Sequence, residues 1–316
     1  MIFPARVRIY EVGPRDGLQN EALTIPTETK LGYIERLIAA GLHEIEATSF
    51  VSPRAIPQLA DADVLLPLLP AAPDVRYPVL VPNLRGMDRA EAAGARAIAV
   101  FTAASDAFTG RNIGMSIAES LEAFRPVLAR AAQQGMWTRA YVSTAFGCPF
   151  TGRVEPERVV DVSLRLLELG AEEICLGDTI GVGVPSQVTL LTERHLEAGI
   201  ALGQLAYHFH DTRGTALANV AAGLASGVSC FDASAGGAGG CPYAPGAAGN
   251  LATEDLVYLL DGMGIDHGIR LGGVIEAARY ISEALGRPLG TKVGQAGGWD
   301  PSSGSATDRA TDRATA

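Results

Sequence analysis

Residues 7–21 read VRIYEVGPRDGLQNE, and the loop after the apolar run decides between two parallel α/β architectures. Val7, Ile9, Tyr10 and Val12 have the β-branched and aromatic character of a buried strand. An open doubly wound sheet expects a glycine fingerprint directly after its first strand, where the backbone must approach a dinucleotide pyrophosphate. Here the strand runs into Gly13-Pro14-Arg15-Asp16-Gly17, a charged loop that is no such cradle.

Seven further segments share the strand character: EIEATSF from Glu44, RYPVLV from Arg76, AIAVFT from Ala97, TRAYVSTAF from Thr138, EICLGD from Glu173, LAYHFHD from Leu205 and CFDASA from Cys230. Helical patterns separate them. Leu31, Ile34, Leu37 and Ile38 share one face, as do Leu217, Val220, Ala221 and Leu224. Ser116 with Glu119 reads as a capping box, and Pro156 suits a first helical turn. Eight strands alternating with helices predict parallel pairing through right-handed crossovers, and hence an α/β fold closed as a (β/α)₈ TIM barrel. Two additional C-terminal helices, Thr253 to Met263 and Leu271 to Leu285, are expected to cover one side. Residues 1–296 read as a single domain, and the polar, repetitive segment 297–316 as a disordered tail.

With 47% apolar and 19% charged residues, the 316-residue chain can bury a large core. Its 25 basic against 35 acidic residues give a net charge of −10, which argues against nucleic acid and anionic membranes as partners. No apolar run is long enough for a membrane span, and the start MIFPARVRIYEVG lacks a secretory or transit signal, so a cytoplasmic location is expected. The four cysteines form no CxxC pair, which fits reduced thiols rather than a zinc knuckle or a disulfide scaffold.

In such barrels the catalytic face forms where strands end, and polar residues gather there in number. Glu11, Arg15 and Asp16 follow the first strand, Glu46 lies in the second, Asp178 ends the sixth, and His208, His210 and Asp211 end the seventh. Alternation along a strand points His208 and His210 the same way, with Tyr207, Phe209 and Asp211 opposite. Two imidazoles with a carboxylate suit a divalent cation such as Zn, Mn or Fe; a packed or solvent-facing pair is the alternative. For Asp16 an ordinary turn residue is the alternative reading. An arginine at a catalytic rim offers a fixed fork of donors for a carboxylate, an enolate oxygen or a thioester carbonyl. Glu46 and Asp178 remain open as ligands, bases or orienters of the histidines. The glycine-rich segment 236–250 could move over the barrel mouth, and its Cys241 is the most plausible reactive thiol of the four.

The motifs EVGPRDGLQNE (Glu11 to Glu21), ATSFVSPRAIPQLAD (Ala47 to Asp61), LGDTIGVG (Leu176 to Gly183), HFHDTRGTALAN (His208 to Asn219) and GGCPYAPGAAGNLATEDLVY (Gly239 to Tyr258) resemble the 3-hydroxy-3-methylglutaryl-coenzyme A lyases. RDG and HxHD mark only a wider group of metal-dependent barrel enzymes, whereas the cysteine loop is specific to the lyase branch. The resemblance implies a divalent cation, Mg or Mn with Zn as the alternative, held by Asp16, His208, His210 and Asn250. It implies enolate stabilisation by Arg15, a loop thiol at Cys241, and support of acid/base chemistry by Glu46 and Asp178. Asp16, His208 and Cys241 are the candidates for proton transfer. It further implies retro-Claisen cleavage of an acyl-CoA, a homodimer, and a place in leucine degradation and ketone-body metabolism. Relatives acting on larger 3-hydroxy-3-alkylglutaryl-CoA esters, and Claisen-condensing acyltransferases, are the alternatives. Phe209 and Arg213 depart from the family pattern and are expected to reshape the pocket.

Overall fold

The computed structural model describes residues 3–240 and 249–299. Cys241 therefore lies outside the described residues, as does most of the expected tail. Nine strand segments form one parallel sheet: β1 (Arg8–Glu11), β2 (Glu44–Ile45), β3 (Thr48–Ser49), β4 (Pro78–Leu80), β5 (Ala97–Ala103), β6 (Trp137–Ser143), β7 (Glu173–Asp178), β8 (Leu205–Phe209) and β9 (Cys230–Ala233). Their order is β2-β1-β9-β8-β7-β6-β5-β4-β3. β2 and β3 are the two halves of the second expected strand. The first half pairs with β1 and the second with β4, so one interrupted strand joins both edges and closes the ring. The break falls at Glu46 and Ala47, whose amides still donate to Glu11 O on one side and Pro78 O on the other. The barrel of eight strands is thus as expected.

The intervening helices are α1 (Thr27–Ala39), α2 (Ala62–Leu68), α3 (Leu84–Ala92), α4 (Asp106–Asn112), α5 (Ile117–Gln133), α6 (Pro156–Glu168), α7 (Pro185–Glu197) and α8 (Ala216–Ala225). α5 starts on the expected capping box, with both reciprocal hydrogen bonds between Ser116 and Glu119 present, and Pro156 opens α6. After the barrel come α9 (Thr253–Met263) and α10 (Leu271–Leu285), as read from the sequence, and a short α11 (Lys292–Ala296) that was not. No helix among the described residues is long and apolar enough to cross a membrane.

Strand alternation divides the core in two. Outward side chains such as Ile98, Val142, Leu176, Tyr207 and Phe231 pack against the apolar helix faces, including Ile34, Leu37, Leu128 and Val220. Inward side chains are partly apolar, among them Tyr10, Tyr141, Cys175 and Cys230, but a ladder of charge runs between them. Arg8 and Arg76 pair with Glu44, Arg8 also with Glu173, and Arg139 with Asp232 at 2.6 Å. Arg139 is fully buried, its guanidinium 3.8 Å above the Tyr10 ring.

The turn after β1 depends on close approach. A Cβ on Gly13 would stand 2.4 Å from the Tyr33 hydroxyl, so only glycine lets the chain enter the tight π-helical turn Gly13–Gly17. Glu11 ties that turn down. Its Oε1 accepts from the Gly13 and Ala235 amides, both at 2.9 Å, and its Oε2 accepts from the Thr253 hydroxyl at 2.6 Å. Burial raises this carboxyl from its ordinary 4.5 to about 7, against the three donors. The native state therefore holds the proton more tightly than the unfolded chain. The group's full contribution to stability is present below pH 4.5 and falls as pH rises through 7, by about 3 kcal/mol. Glu11→Gln keeps one oxygen for the two amides, turns its Nε2 to the Thr253 oxygen, and does not titrate. Urea unfolding at pH 5 and pH 8 should show the native protein losing about 2 to 3 kcal/mol relative to this variant, since part of the change already lies below pH 5; parallel pH dependence of the two proteins would contradict the assignment.

Candidate active site

Above the C-terminal ends of the strands lies a cavity of about 540 Å³. One wall is apolar, with Val51, Ile56, Phe101, Phe108 and Ile113; the floor is polar, with Arg15, Asp16, Tyr141, His208 and His210. The floor residues come from β1's turn, β6 and β8. Local chain geometry aims them: the turn Gly13–Gly17 carries Arg15 and Asp16 over the barrel axis, and inward parity places Tyr141 and His208.

Asp16, His208 and His210 bring one potential ligand atom each to within 4.8 Å of one another. The two imidazole Nε2 atoms stand 3.1 Å apart. Adjacent ligands around an octahedral ion with bonds of about 2.1 Å are separated by about 3 Å. Asn250 completes the cluster. Its Nδ2 donates to Asp16 Oδ2 at 2.9 Å and to Ala238 O at 2.9 Å, and its Oδ1 is buried without a hydrogen-bond partner among the described residues. Asn250 is held by an antiparallel bridge to His210. Gly249 makes that placement possible, because a Cβ there would lie 1.9 Å from Gly237 O. Converging imidazole nitrogens, a carboxylate and an orphaned amide oxygen are a donor set that a divalent cation fits.

Electrostatics agree. Burial alone would raise the Asp16 carboxyl, but Arg15 and both imidazoles outweigh it and hold it at about 2. Burial and the neighbouring His208 lower His210 to about 4, so it stays neutral at pH 7. His208 behaves oppositely: burial would lower it, yet its contact with Asp232 raises it.

Arg15 is buried and clamped between two carboxylates, donating to Asp16 Oδ1 at 2.6 Å and to Glu46 Oε2 at 2.7 Å. The Tyr141 hydroxyl also donates to Glu46 Oε2, at 3.0 Å. Burial raises the Glu46 carboxyl, with Arg15 opposing. Glu46 thus faces Arg15 and Tyr141 and stands outside the Asp16, His208 and His210 cluster. Asp178 does not line the cavity. Its two oxygens accept from the amides of Val182 and Gly183, each at 2.9 Å, and brace the loop after β7.

Both expected departures at the rim resolve away from the cavity. Phe209 lies on the outer face, stacked 5.1 Å from Tyr207, because it has the opposite parity to the histidines. Arg213 donates to Ile180 O and Gly181 O and joins two loops. Neither lines the cavity, so the expectation that they reshape it is not met. Conversely, Arg139, Tyr141 and Asp232 were not singled out from the sequence. The available signal was a charged or hydroxylated side chain at an inward position of a strand.

The HMGL-like family pattern matches residues 6–281. The chain is 49% identical over 294 residues to the mitochondrial hydroxymethylglutaryl-CoA lyase of Bos taurus, covering 93% of this chain and 90% of that one. Among solved structures, the hydroxymethylglutaryl-CoA lyase of Pseudomonas aeruginosa superposes with a TM-score of 0.91 at 44% identity, over 94% of this chain and 98% of the other. An HMG-CoA lyase of Acinetobacter baumannii, solved with coenzyme A and 3-methylmalate, gives 0.89 at 38% identity, over 94% and 97%. With a matching pattern over most of its length and relatives alike in sequence and in fold, this chain belongs to the HMGL-like family.

Proposed function

We propose that this chain is a carbon–carbon lyase that cleaves 3-hydroxy-3-methylglutaryl-CoA to acetoacetate and acetyl-CoA in a divalent-cation-assisted retro-Claisen reaction. The observation that carries the reading is the meeting of Asp16, His208 and His210 beside Arg15 on the floor of one cavity, in a chain 49% identical to a lyase of that name.

The reaction breaks the bond between C2 and C3 of the acyl group. The 3-hydroxyl loses a proton as C3 becomes a ketone, and the bonding electrons pass to the departing acetyl thioester, which takes up a proton at carbon. Asp16, His208, His210 and Asn250 would hold the cation, with Mg or Mn suited to this mixed oxygen and nitrogen set. When bound, it supplies Lewis acidity that lowers the pKa of the substrate hydroxyl. Arg15 handles the negative charge at the far oxygen. Its guanidinium is fixed by Asp16 and Glu46 before substrate arrives and lines the cavity, so it is placed to donate to the thioester oxygen as that oxygen becomes an enolate. Tyr141 holds Glu46 in place beneath. The apolar wall lowers the polarity around the reacting atoms, which strengthens the attraction between Arg15 and the developing enolate oxygen.

The test is an assay of purified protein with 3-hydroxy-3-methylglutaryl-CoA and with an analogue bearing a longer 3-alkyl tail, each with Mg or Mn and after chelation. Cation-dependent release of acetoacetate, at least tenfold faster than cleavage of the analogue, is expected; a wall that must admit one methyl group gains about 1–3 kcal/mol of discrimination. Faster turnover of the analogue would move the substrate to the larger esters. Consumption of acetyl-CoA with a keto acid, and no cleavage, would make the chain a condensing enzyme.

A further inference from the structure

Asp232 lies in the barrel wall and is not among the residues that line the cavity, and its hydrogen-bond contacts among the described residues are to groups that can donate. Arg139 Nη2 donates to Asp232 Oδ1 at 2.6 Å, and Cys175 Sγ stands 3.5 Å from Oδ2. His208 Nδ1 lies 3.0 Å from the same Oδ2. Asp232 and His208 are register partners of β9 and β8, so the sheet itself sets this contact, and both are nearly inaccessible to water. An arginine offers donors only and cannot accept. With Arg139 on one oxygen, the other must accept from the imidazole.

We infer that Asp232 is a positioning residue: it holds His208 as the Nδ1–H tautomer, which leaves the Nε2 lone pair pointing at Asp16 and His210, and Arg139 fixes Asp232 for that task. The inference rests on the cation ligand set proposed above. It also accounts for the pair of Nε2 atoms 3.1 Å apart. Outer partners of this kind orient a ligating imidazole, and their loss lowers metal affinity about 10- to 100-fold.

Asp232→Asn is nearly isosteric but inverts the hydrogen-bond logic. The amide oxygen stays on Arg139, because the alternative sets donor against donor. The amide nitrogen then faces His208 Nδ1, which must become an acceptor, and the ring proton moves to Nε2. No atom is gained or lost at the imidazole; only the nitrogen available as a ligand changes. Cys175→Ala removes the weak thiol contact alone and leaves both strong ones.

Two measurements on the full chain test this. With ¹⁵N-labelled histidine, five residues give a sparse spectrum in which ring nitrogens report their protons directly. Cation-free wild-type protein should show His208 protonated at Nδ1, and D232N at Nε2. Titration with Mn(II) alone should show a dissociation constant about 10- to 100-fold weaker in D232N and within twofold of wild type in C175A. A purely structural role would move neither the tautomer nor the selectivity between these variants. An Nε2–H tautomer in the wild-type chain overturns the inference even if D232N does not fold. Equal Mn(II) affinity of D232N and wild type overturns it as well. A wild-type chain that takes up no Mn(II) overturns the ligand set, and this role of Asp232 with it.

Discussion

Arg15→Gln should lower kcat for acyl-CoA cleavage by on the order of 10³ while divalent-cation uptake stays within about threefold of wild type. The size follows from where the guanidinium stands. It is buried between Asp16 and Glu46, so its orientation costs nothing when charge develops on the thioester oxygen. A factor of 10³ corresponds to about 4 kcal/mol, the loss expected when a pre-aligned charged donor leaves a low-dielectric site. Glutamine is shorter and neutral, and it cannot reach both carboxylates. Arg15→Lys should recover little, since one ammonium cannot reproduce a planar fork. Ground-state affinity should change less than kcat, because the oxygen is only weakly charged before the bond breaks. Single-turnover rates with Mn(II) binding measured alongside decide the matter. A variant that loses cation and rate together would assign Arg15 to holding Asp16 instead of the substrate.

Asp16→Asn should be at least as damaging, by on the order of 10³ in kcat, and here cation affinity should fall with it. Asp16 is the only anion among the four proposed ligands, and its carboxyl is held at about 2 by Arg15 and the histidines, so it is fully charged across the working pH range. Asparagine keeps the shape but removes the charge. It also sets an amide group against Arg15 on one side and the Asn250 amide on the other, where the carboxylate accepted from both. Partial recovery at high Mg or Mn would be the mark of a weakened ligand set. Wild-type cation affinity together with a wild-type rate would remove Asp16 from the site. The two variants therefore separate the halves of the mechanism: Arg15→Gln retains the cation and loses the reaction, whereas Asp16→Asn loses both.

Much of this architecture can be read along the chain because it rests on local rules. The alternation of strand and helix, the charged turn after the first strand and the capping of α5 each depend on a few neighbouring residues, and each stands in the structure as read. So does the common direction of His208 and His210, a consequence of the two-residue repeat of a strand. The same repeat turned Phe209 outward, and the expectation that it shapes the pocket overlooked that parity.

What only the tertiary structure decided is which inward groups meet. Asp232 faces His208 because β8 and β9 pair in one register, and Arg139 reaches Asp232 across the barrel from a strand 93 residues away in sequence. Glu46 went to Arg15 and Tyr141, and Asp178 to the amides of its own loop, although from the sequence both were open as partners of the histidines. The periodicity of a strand states which face a side chain takes. Its partner on that face is set by strand order, register and tilt, which arise only when distant segments close into one ring.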